Sequence, residues 1–402
     1  MERSETVLAA VAARTDEMVD TRRDLHRHPE LSFEEHRTTS LIADRLGATG
    51  LDVRPCPTPT GAVAVLEGGR PGRTVLLRAD IDALPVTEAT GLPFASTVDG
   101  VMHACGHDAH AAMLLGAAGA LAGMAGDLAG RYLFVFQPAE ERVSGARAMV
   151  DGGLLEEHEP AVAIGCHVAS MAPTGLVGSR AGVLMAGSLA LRITARGSGG
   201  HGALQPRAGN VVLAAARVAD RLDGVVTGMS TDGTACVCSP GLFHAGTAPN
   251  VVPTEAVVQA TLRTFDDGQR SAALAALDAL VAETGTEFEV DIEVIRSDVC
   301  EAVRNDADVT AAALAAARHV VGDGALVLPG PVAASDDVAV FLERVPGCYL
   351  IVGAAKDDGS SGLHHTPTFD IDEGALAIGA SVLALAAVDL AASGPAGSAA
   401  GG

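Results

Sequence analysis

The chain has 402 residues, with 50 Asp and Glu against 27 Lys and Arg, and its formal net charge is −23. Hydrophobic residues make up 48% of it and charged residues 19%, which excludes intrinsic disorder for most of the chain. The acidic excess argues against nucleic acid and anionic membrane surfaces as partners, because both are bound by clustered Lys and Arg. At about 150 residues per domain, the length predicts two or three domains.

Cysteine usage and apolar runs favour a cytoplasmic protein that does not span a membrane. The seven cysteines are widely scattered, and their spacing indicates no disulfide framework. The first apolar run ends at Arg14, which is too short for a secretory signal. The Ala-rich run at residues 111–126 falls short of the roughly 20 residues that cross a bilayer, so we expect a buried helix there.

The predicted elements of the first part alternate between helices and short apolar strands. Residues 1–46 have the pattern of an amphipathic helix interrupted by a turn at His28-Pro29. Short apolar runs predict three strands, at residues 74–80, 131–138 and 161–167. Since an Ala-rich helical segment lies between the first two, we expect an α/β domain whose sheet is covered by helices on both faces.

The pattern changes near residue 186 and returns to Ala-rich helix near residue 300. Alternating apolar and polar residues predict half-exposed strands, at residues 188–197, 255–266 and 288–295. Helices are predicted between them, at residues 211–222 and 271–283, and a closing helix is predicted at residues 374–392. The predicted organisation is a domain of residues 1–185 and 300–393, an inserted α+β domain of residues 186–299, and a disordered low-complexity tail of residues 394–402.

The strongest candidate for a chemical site is the segment HACGHDAH, residues 103–110. Cys105 and His107 are two residues apart, so their side chains point the same way in an extended segment. The density of thiol, imidazole and carboxylate groups favours a metal site over a glycine-containing turn. Two ligands do not complete such a site, so further ligands are expected at the ends of strands.

Glu140 and Glu141 directly follow the predicted strand at residues 131–138. Because adjacent side chains diverge, one carboxylate can bind a metal ion while the other remains free as a general base. A metal hydrolase needs this division of roles. A solvated pair of Glu residues at the start of a helix is the alternative interpretation.

Histidines at two further places are candidate ligands. His167 ends the predicted strand at residues 161–167, where a core histidine is an equally good interpretation. His364 and His365 precede the closing helix, and one of them can bind metal while the other has no role in binding.

These residues belong to a set of motifs in a fixed order along the chain. The motifs are LHRHPELSFEE (25–35), LRADIDALPV (77–86), MHACGHDAH (102–110), FQPAEE (136–141) and HHTPTFDIDE (364–373). In this order and at this spacing they closely resemble the amidohydrolase branch of the dinuclear aminoacylase and glutamate-carboxypeptidase metallopeptidases. Members of that branch include hippurate hydrolases, N-acyl amino acid amidohydrolases and plant auxin-conjugate hydrolases, and the resemblance extends over nearly the whole chain.

The resemblance implies a zinc-peptidase-like catalytic domain with a mixed sheet flanked by helices, and an inserted α+β lid that also forms a dimer. It further implies two divalent metal ions per subunit, either manganese or zinc, with cobalt as a third candidate. Glu140 matches the family's general base, and Asp80 matches a carboxylate that supports the site from behind the ligands. The positions that match the metal ligands, with the Cys shared between the ions, are Cys105, His107, Glu141, His167 and His365.

The inserted domain carries two further matches to the family. His201, in GSGGHGA, matches a lid histidine that reaches the active site of the neighbouring subunit, which implies a homodimer and a donor to the oxyanion. Asn250, in HAGTAPNVVP, matches a residue that contacts substrate. For Arg263 two interpretations stay open, because it can meet a substrate carboxylate or pair with Asp266.

The predicted function is hydrolysis of the amide bond of N-acyl amino acids or related small amides, and a small dipeptidase or carboxypeptidase on the same fold is the alternative. Two other classes are weaker. The segment GSGGHG (197–202) matches the GxGxxG of nicotinamide-dependent oxidoreductases, but the strand pattern before it is antiparallel and Pro206 delays any helix. A non-catalytic binding protein is disfavoured because every ligand position and the base are present.

Overall fold

The computed structural model describes residues 2–204 and 207–393. The predicted disordered tail, residues 394–402, lies outside the described residues. The helices are α1 (Glu2–Ala12), α2 (Thr15–Arg27), α3 (His36–Ala48), α4 (His107–Ala122), α5 (Gly145–Asp151), α6 (Leu154–His158), α7 (Val211–Arg221), α8 (Asp267–Phe288), α9 (Ala307–Val321), α10 (Ala339–Leu342) and α11 (Gly374–Ala392).

The strands of the described chain are, in order, β1 (Asp52–Arg54), β2 (Ala62–Glu67), β3 (Arg70–Asp80), β4 (Ala129–Gln137), β5 (Val162–Pro173), β6 (Val177–Ser179), β7 (Gly182–Met185), β8 (Gly187–Arg196), β9 (Gly200–His201), β10 (Ser230–Thr231), β11 (Thr234–Ala235), β12 (Val237–Ala245), β13 (Val251–Val252), β14 (Glu255–Thr264), β15 (Asp291–Cys300), β16 (Val303–Asn305), β17 (Ala325–Val327) and β18 (Gly347–Ala355).

The chain divides into two compact units. The first unit runs to Gly182, includes Arg304–Leu328 and resumes at Asp337, and the second unit comprises Val183–Val303 and Pro329–Asp336. The segment predicted as an inserted domain, residues 186–299, falls inside the second unit. Pro329–Asp336, which the sequence pattern placed with the first part of the chain, is grouped with the second unit.

The first unit is built on an eight-stranded mixed sheet in the order β1-β2-β4-β3-β5-β18-β6-β17. Its central strands β4, β3, β5 and β18 run parallel, and their inner residues are buried. Strands that are covered on both faces have continuous apolar sequences, which is why residues 74–80 and 131–138 have a clear strand pattern. The sheet and its flanking helices confirm the predicted α/β class.

Five strands of this sheet were not predicted, namely β1, β2, β6, β17 and β18. The sequence of β18, GCYLIVGAA, is a short apolar run near Ala-rich helices, and periodicity alone does not distinguish a short buried strand from buried helix. In the structure β18 lies between β5 and β6 and pairs in parallel with β5. It is therefore a central strand of the sheet that carries the candidate site.

Helix α11 is the main core helix of the first unit. It packs against helices α1, α4 and α9 and against the central strands of the sheet. By length and composition its 19 residues could cross a membrane, but 78% of its most apolar window is buried inside the protein. A helix that is apolar on all sides is expected where it has neighbours on all sides.

The second unit contains a four-stranded antiparallel sheet in the order β12-β14-β8-β15, with helices α7 and α8 packed against it. The glycines of GSGGHG lead into the short strand β9, and α7 begins only at Val211. A dinucleotide site needs a helix N-terminus directly after such glycines. The GxGxxG match therefore lacks the local structure that would support an oxidoreductase.

A buried ionic network joins three distant segments of the first unit. The guanidinium of Arg22 donates to Asp108 at 3.3 Å, to Asp370 at 2.8 Å and to Glu373 at 2.9 Å. Helix α2 is thereby tied to the start of α4 and to the segment before α11. One turn later on α2, burial disfavours the charged form of His26, but hydrogen bonds to Asp108 and a second carboxylate raise the pKa of His26 to about 9.

Replacing Arg22 with Met should destabilise the protein strongly, because it leaves three carboxylates without their shared cation. We expect the free energy of unfolding in urea to fall by about 3–5 kcal/mol. The matched control is Arg23→Met, which removes a neighbouring guanidinium that is 45% exposed and bonds to Glu373 alone among these carboxylates. In that control the free energy of unfolding should fall by less than about 1 kcal/mol. Equal decreases for the two variants would contradict the role assigned to Arg22.

Candidate metal centre and active site

The candidate residues of the first unit lie where its parallel strands end. Asp80, the last residue of β3, pairs in register with Gln137, the last residue of β4, and Glu140 and Glu141 follow three and four residues later. His167 lies on the neighbouring strand β5. In open α/β sheets the carboxyl ends of strands form the usual binding edge.

A glycine allows Cys105 and His107 to approach β5 closely. Gly106 has a φ of +93°, in the left-handed region, and a Cβ atom there would lie 2.4 Å from Cγ2 of Val168. Only glycine fits this combination of backbone conformation and space. Helix α4 begins at the next residue, so Cys105 and His107 lie on either side of a sharp bend at the start of a buried helix.

His107 presents one ring nitrogen to a group of carboxylates. Its Nδ1–H donates to the carbonyl of Asp82 at 2.9 Å and to Oδ1 of the same residue at 3.2 Å. Its Nε2 is buried without a hydrogen-bond partner and lies 3.9 Å from Oε2 of Glu140 and 3.9 Å from Oε1 of Glu141. Although burial disfavours the imidazolium, the charge of Asp80 and the contact with Asp82 raise the pKa of His107. The pocket around Nε2 thus favours a cation.

His167 and Cys105 lie on the other side of the same pocket. The Nδ1–H of His167 donates to the backbone carbonyl of Val168 at 2.7 Å, and its Nε2 is 3.5 Å from Sγ of Cys105. Burial and the neighbouring His110 lower the pKa of His167. A neutral imidazole with a free Nε2 lone pair is the form that binds metals.

Glu140 and Glu141 face this pocket from the end of β4. The backbone N–H of Glu141 donates to Oδ2 of Asp82 at 3.0 Å, which fixes the loop. Oε1 of Glu141 is buried without a hydrogen-bond partner and lies 3.4 Å from Nε2 of His365. The two carboxylates are therefore both turned toward His107, and one of them also meets His365.

Both histidines of the HHTP segment reach the site. His365 has a φ of +64°, its N–H donates to the carbonyl of Ala104, and its side chain is half exposed. His364 is the more enclosed of the two, with Nε2 accepting from the N–H of Ser170 and Nδ1 3.7 Å from Sγ of Cys105. The structure thus places His364 against the thiol, although the sequence pattern assigned it no role.

Three groups of candidate ligand atoms overlap in this pocket. Within each group the ligand atoms lie within 4.8 Å of one another, and the groups are Cys105 with His107 and His167, Cys105 with Glu141 and His365, and His107 with Glu140 and Glu141. Ligands of one ion at bond lengths near 2.0–2.3 Å are separated by about 3–4 Å, which matches the contacts described. The donor set and its two unpartnered buried atoms, Nε2 of His107 and Oε1 of Glu141, fit divalent cations.

Asp82 is the site carboxylate that sequence reasoning missed. It holds Nδ1 of His107 and the N–H of Glu141, and it accepts from the hydroxyl of Ser32 at 2.7 Å. Asp80 instead accepts from Nδ1 of His110 and from Arg78. The LRADIDALPV motif contains both carboxylates two residues apart, and this spacing after a strand was the available signal.

The second unit carries the predicted residues His201, Asn250 and Arg263. Strand β9, which ends at His201, pairs with β13, and the N–H of Gly202 donates to the carbonyl of Asn250 at 2.9 Å. His201 and Asn250 are thus neighbours. The guanidinium of Arg263 donates to the hydroxyl of Ser335 at 3.1 Å, while Asp266 caps helix α8 through the N–H of Gln269.

Comparison with known proteins identifies the class. Residues 76–389 match the model of peptidase family M20/M25/M40, and the chain belongs to this family. It is 34% identical to thermostable carboxypeptidase 1 of Saccharolobus solfataricus over 93% of this chain and 95% of that one. It is also 34% identical to N-acetyl-L-cysteine deacetylase of Bacillus subtilis, over 90% of this chain and 85% of that one.

A solved structure from Bacillus subtilis, described as a dinuclear metal binding peptidase from the M20 family, is similar to this chain with a TM-score of 0.78 and 32% identity. The likeness covers 94% of this chain and 98% of that one. These findings confirm the resemblance drawn from the motifs, the fold class, and the assignment of the chain to hydrolases that act on amide bonds.

Substitution of Asp82 by Ala should weaken metal binding without removing any candidate ligand. Loss of a carboxylate that orients a ligating His commonly costs 10- to 100-fold in affinity, and we expect a decrease of about that size for Zn²⁺ and Mn²⁺. Competition with a chromophoric chelator measures it. Asp99→Ala, at an exposed position, is the control, and equal affinities for the two variants would show that Asp82 does not support the metal site.

Proposed function

We propose that the chain is a metal-dependent amidohydrolase that cleaves the amide bond of N-acyl amino acids or related small amides. The observation that carries the proposal is the convergence of Cys105, His107, Glu141, His167 and His365 around one pocket, with Glu140 beside them. The name of the Bacillus subtilis N-acetyl-L-cysteine deacetylase supports this substrate class.

The metal ligands are proposed to be the same five residues, with Cys105 shared between two divalent ions. Thiolate and imidazole favour zinc, and the carboxylate also suits manganese or cobalt. Bound cations would supply Lewis-acid activation of water and of the scissile carbonyl. Asp82 and Asp80 keep the surrounding histidines in fixed orientations and tautomers.

Glu140 is the proposed general base. Its carboxylate faces His107 and lies beside Glu141, so it can accept the proton of the attacking water and return it to the departing amine. His201 is proposed to donate to the carbonyl oxygen as negative charge develops there. Asn250 and Arg263 are proposed to contact substrate, Arg263 through a carboxylate.

Glu140→Gln should abolish most of the hydrolysis while metal content stays at the level of the unaltered protein. A general base contributes about 10²- to 10⁴-fold, and we expect kcat to fall within that range. Hydrolysis of hippurate and N-acetyl amino acids, with metal analysis of each preparation, tests this prediction. Glu156→Gln, at an exposed position, is the control, and an unchanged kcat in Glu140→Gln would refute the assignment.

A carboxypeptidase or small dipeptidase is the second candidate, because a relative with 34% identity carries the name thermostable carboxypeptidase. Dipeptides with a free amine and their N-acetylated forms separate the two candidates, since only the amidohydrolase should prefer the acylated form. If the protein binds these compounds and hydrolyses none of them, the result would instead support a non-catalytic binding protein.

We further propose a homodimer in which His201 serves the site of the partner subunit. The edge strand β12 supports this, because Leu242 and Phe243 on it are 46% and 45% exposed. An exposed edge with apolar side chains is suited to pairing with a second copy.

All seven cysteines are free thiols, which supports the proposed cytoplasmic location.

Mixing two inactive variants tests the shared site. If His201 acts across the dimer, a mixture of His201→Ala and Glu140→Gln, after subunit exchange, should recover about a quarter of the unaltered activity, since half of the dimers carry one complete site. Hydrolysis assays combined with light scattering measure recovery and mass. A monomeric protein with full activity, or a dimer without recovery, would contradict the proposal.

A further inference from the structure

The N-terminal segment that carries LHRHPELSFEE lies directly behind the loop of the two glutamates. Glu35 is fully buried there, although it is a carboxylate. Its Oε1 accepts from the backbone N–H of Ala139 at 2.9 Å, and its Oε2 accepts from the hydroxyl of Thr60 at 2.6 Å. A side chain 104 residues away in sequence thus contacts the residue that precedes Glu140.

Ala139 has an unusual backbone conformation. Its φ is +55°, in the left-handed region that residues with a Cβ rarely adopt. Such residues persist only where surrounding contacts determine them, and they concentrate at functional sites. Here the N–H of Ala139 is held by Glu35, and its carbonyl accepts from the N–H groups of Ser144 and Gly145.

The left-handed residue sets the direction in which the chain leaves β4. Gln137 is the last residue of the strand, Ala139 turns the backbone, and Glu140 and Glu141 follow. Glu141 has its own anchor, because its N–H donates to Asp82. The carboxylate of Glu35 holds the N–H of Ala139, the residue just before Glu140, while the side chain of Gln137 donates to the carbonyl of Pro138.

We propose that Glu35 is a positioning residue that holds Ala139 in the left-handed conformation and thereby places the carboxylate of Glu140 for proton transfer. This inference rests on the proposed function for the role of Glu140. By this proposal, the LHRHPELSFEE motif supports catalysis through the backbone of Ala139, without contacting the substrate. Because Glu141 is anchored separately, metal binding should depend on Glu35 much less than turnover does.

The test compares Glu35→Ala with Glu35→Gln and with a repaired double variant. Glu35→Ala should lower kcat by about 10-fold or more with little change in KM, since small misplacements of a reacting group are costly. Glu35→Gln keeps an acceptor for the N–H of Ala139 and should stay within about twofold of the unaltered kcat. Burial raises the pKa of the Glu35 carboxyl, so a neutral amide is a close substitute.

Adding Ala139→Gly to Glu35→Ala should restore part of the lost kcat, because glycine adopts the left-handed conformation without strain. A role in stability alone would leave kcat per folded, metal-loaded protein unchanged in Glu35→Ala. The matched control is Glu30→Ala in the same segment, since Glu30 also accepts backbone N–H groups, those of Arg37 and Thr38, but not that of Ala139.

A second measurement does not depend on hydrolysis. In the metal-free protein, hydrogen exchange of a peptide that covers residues 137–145 should be faster in Glu35→Ala than in Glu35→Gln or Glu30→Ala. Thr60→Val removes the hydrogen bond that orients Oε2 of Glu35, and we expect it to increase the exchange rate of this peptide by a smaller amount. If Glu35→Ala does not fold, Thr60→Val replaces it in the test.

The outcomes separate the two proposals. An unaltered protein without hydrolase activity would remove the proposed function, while hydrogen exchange would still report whether Glu35 holds the turn. An active protein in which Glu35→Ala matches Glu30→Ala in kcat and in exchange would overturn the inference about Glu35.

Discussion

The carboxylate of Asp82 is the contact on which the geometry of the site depends most. It accepts from Nδ1 of His107, from the N–H of Glu141 and from the hydroxyl of Ser32, so it joins three segments that are far apart in sequence. Burial opposes ionisation of Asp82, but the contacts with His107, Ser32 and the N–H of Glu141 offset this cost and lower the pKa of Asp82. The lone pair on Nε2 of His107 is thereby directed into the pocket.

Much of the site was accessible from the sequence because its residues follow strands with strong apolar patterns. The runs before Asp80, Glu140 and His167 are central parallel strands, and parallel strands bring their carboxyl ends to one edge. The closing helix α11 was also predicted with its observed bounds, since a long apolar segment leaves little ambiguity. Local pattern and topology thus indicated the strand ends as places for ligands, whereas the full set of five ligands was implied by the resemblance of the motifs to a known family.

The remaining contacts could not be predicted because they join segments that have no local relation to one another. Glu35 and Ser32 show no periodicity that would indicate partners at positions 139 and 82. His364 was set aside in favour of His365, but the structure places its Nδ1 3.7 Å from Sγ of Cys105, while its Nε2 accepts from the N–H of Ser170 on β5. Strand β18 was missed because its sequence resembles the apolar helices around it.

Some residues that support the candidate site lie outside the part of the chain that matches the family model. That match begins at residue 76, whereas Arg22, Ser32 and Glu35 all precede it. Yet Arg22 donates to Asp108, the residue after the candidate ligand His107. Ser32 donates to Asp82, and Glu35 accepts from the N–H of Ala139 just before Glu140. The N-terminal segment that carries Arg22, Ser32 and Glu35 therefore packs behind the candidate site and belongs to the same compact unit.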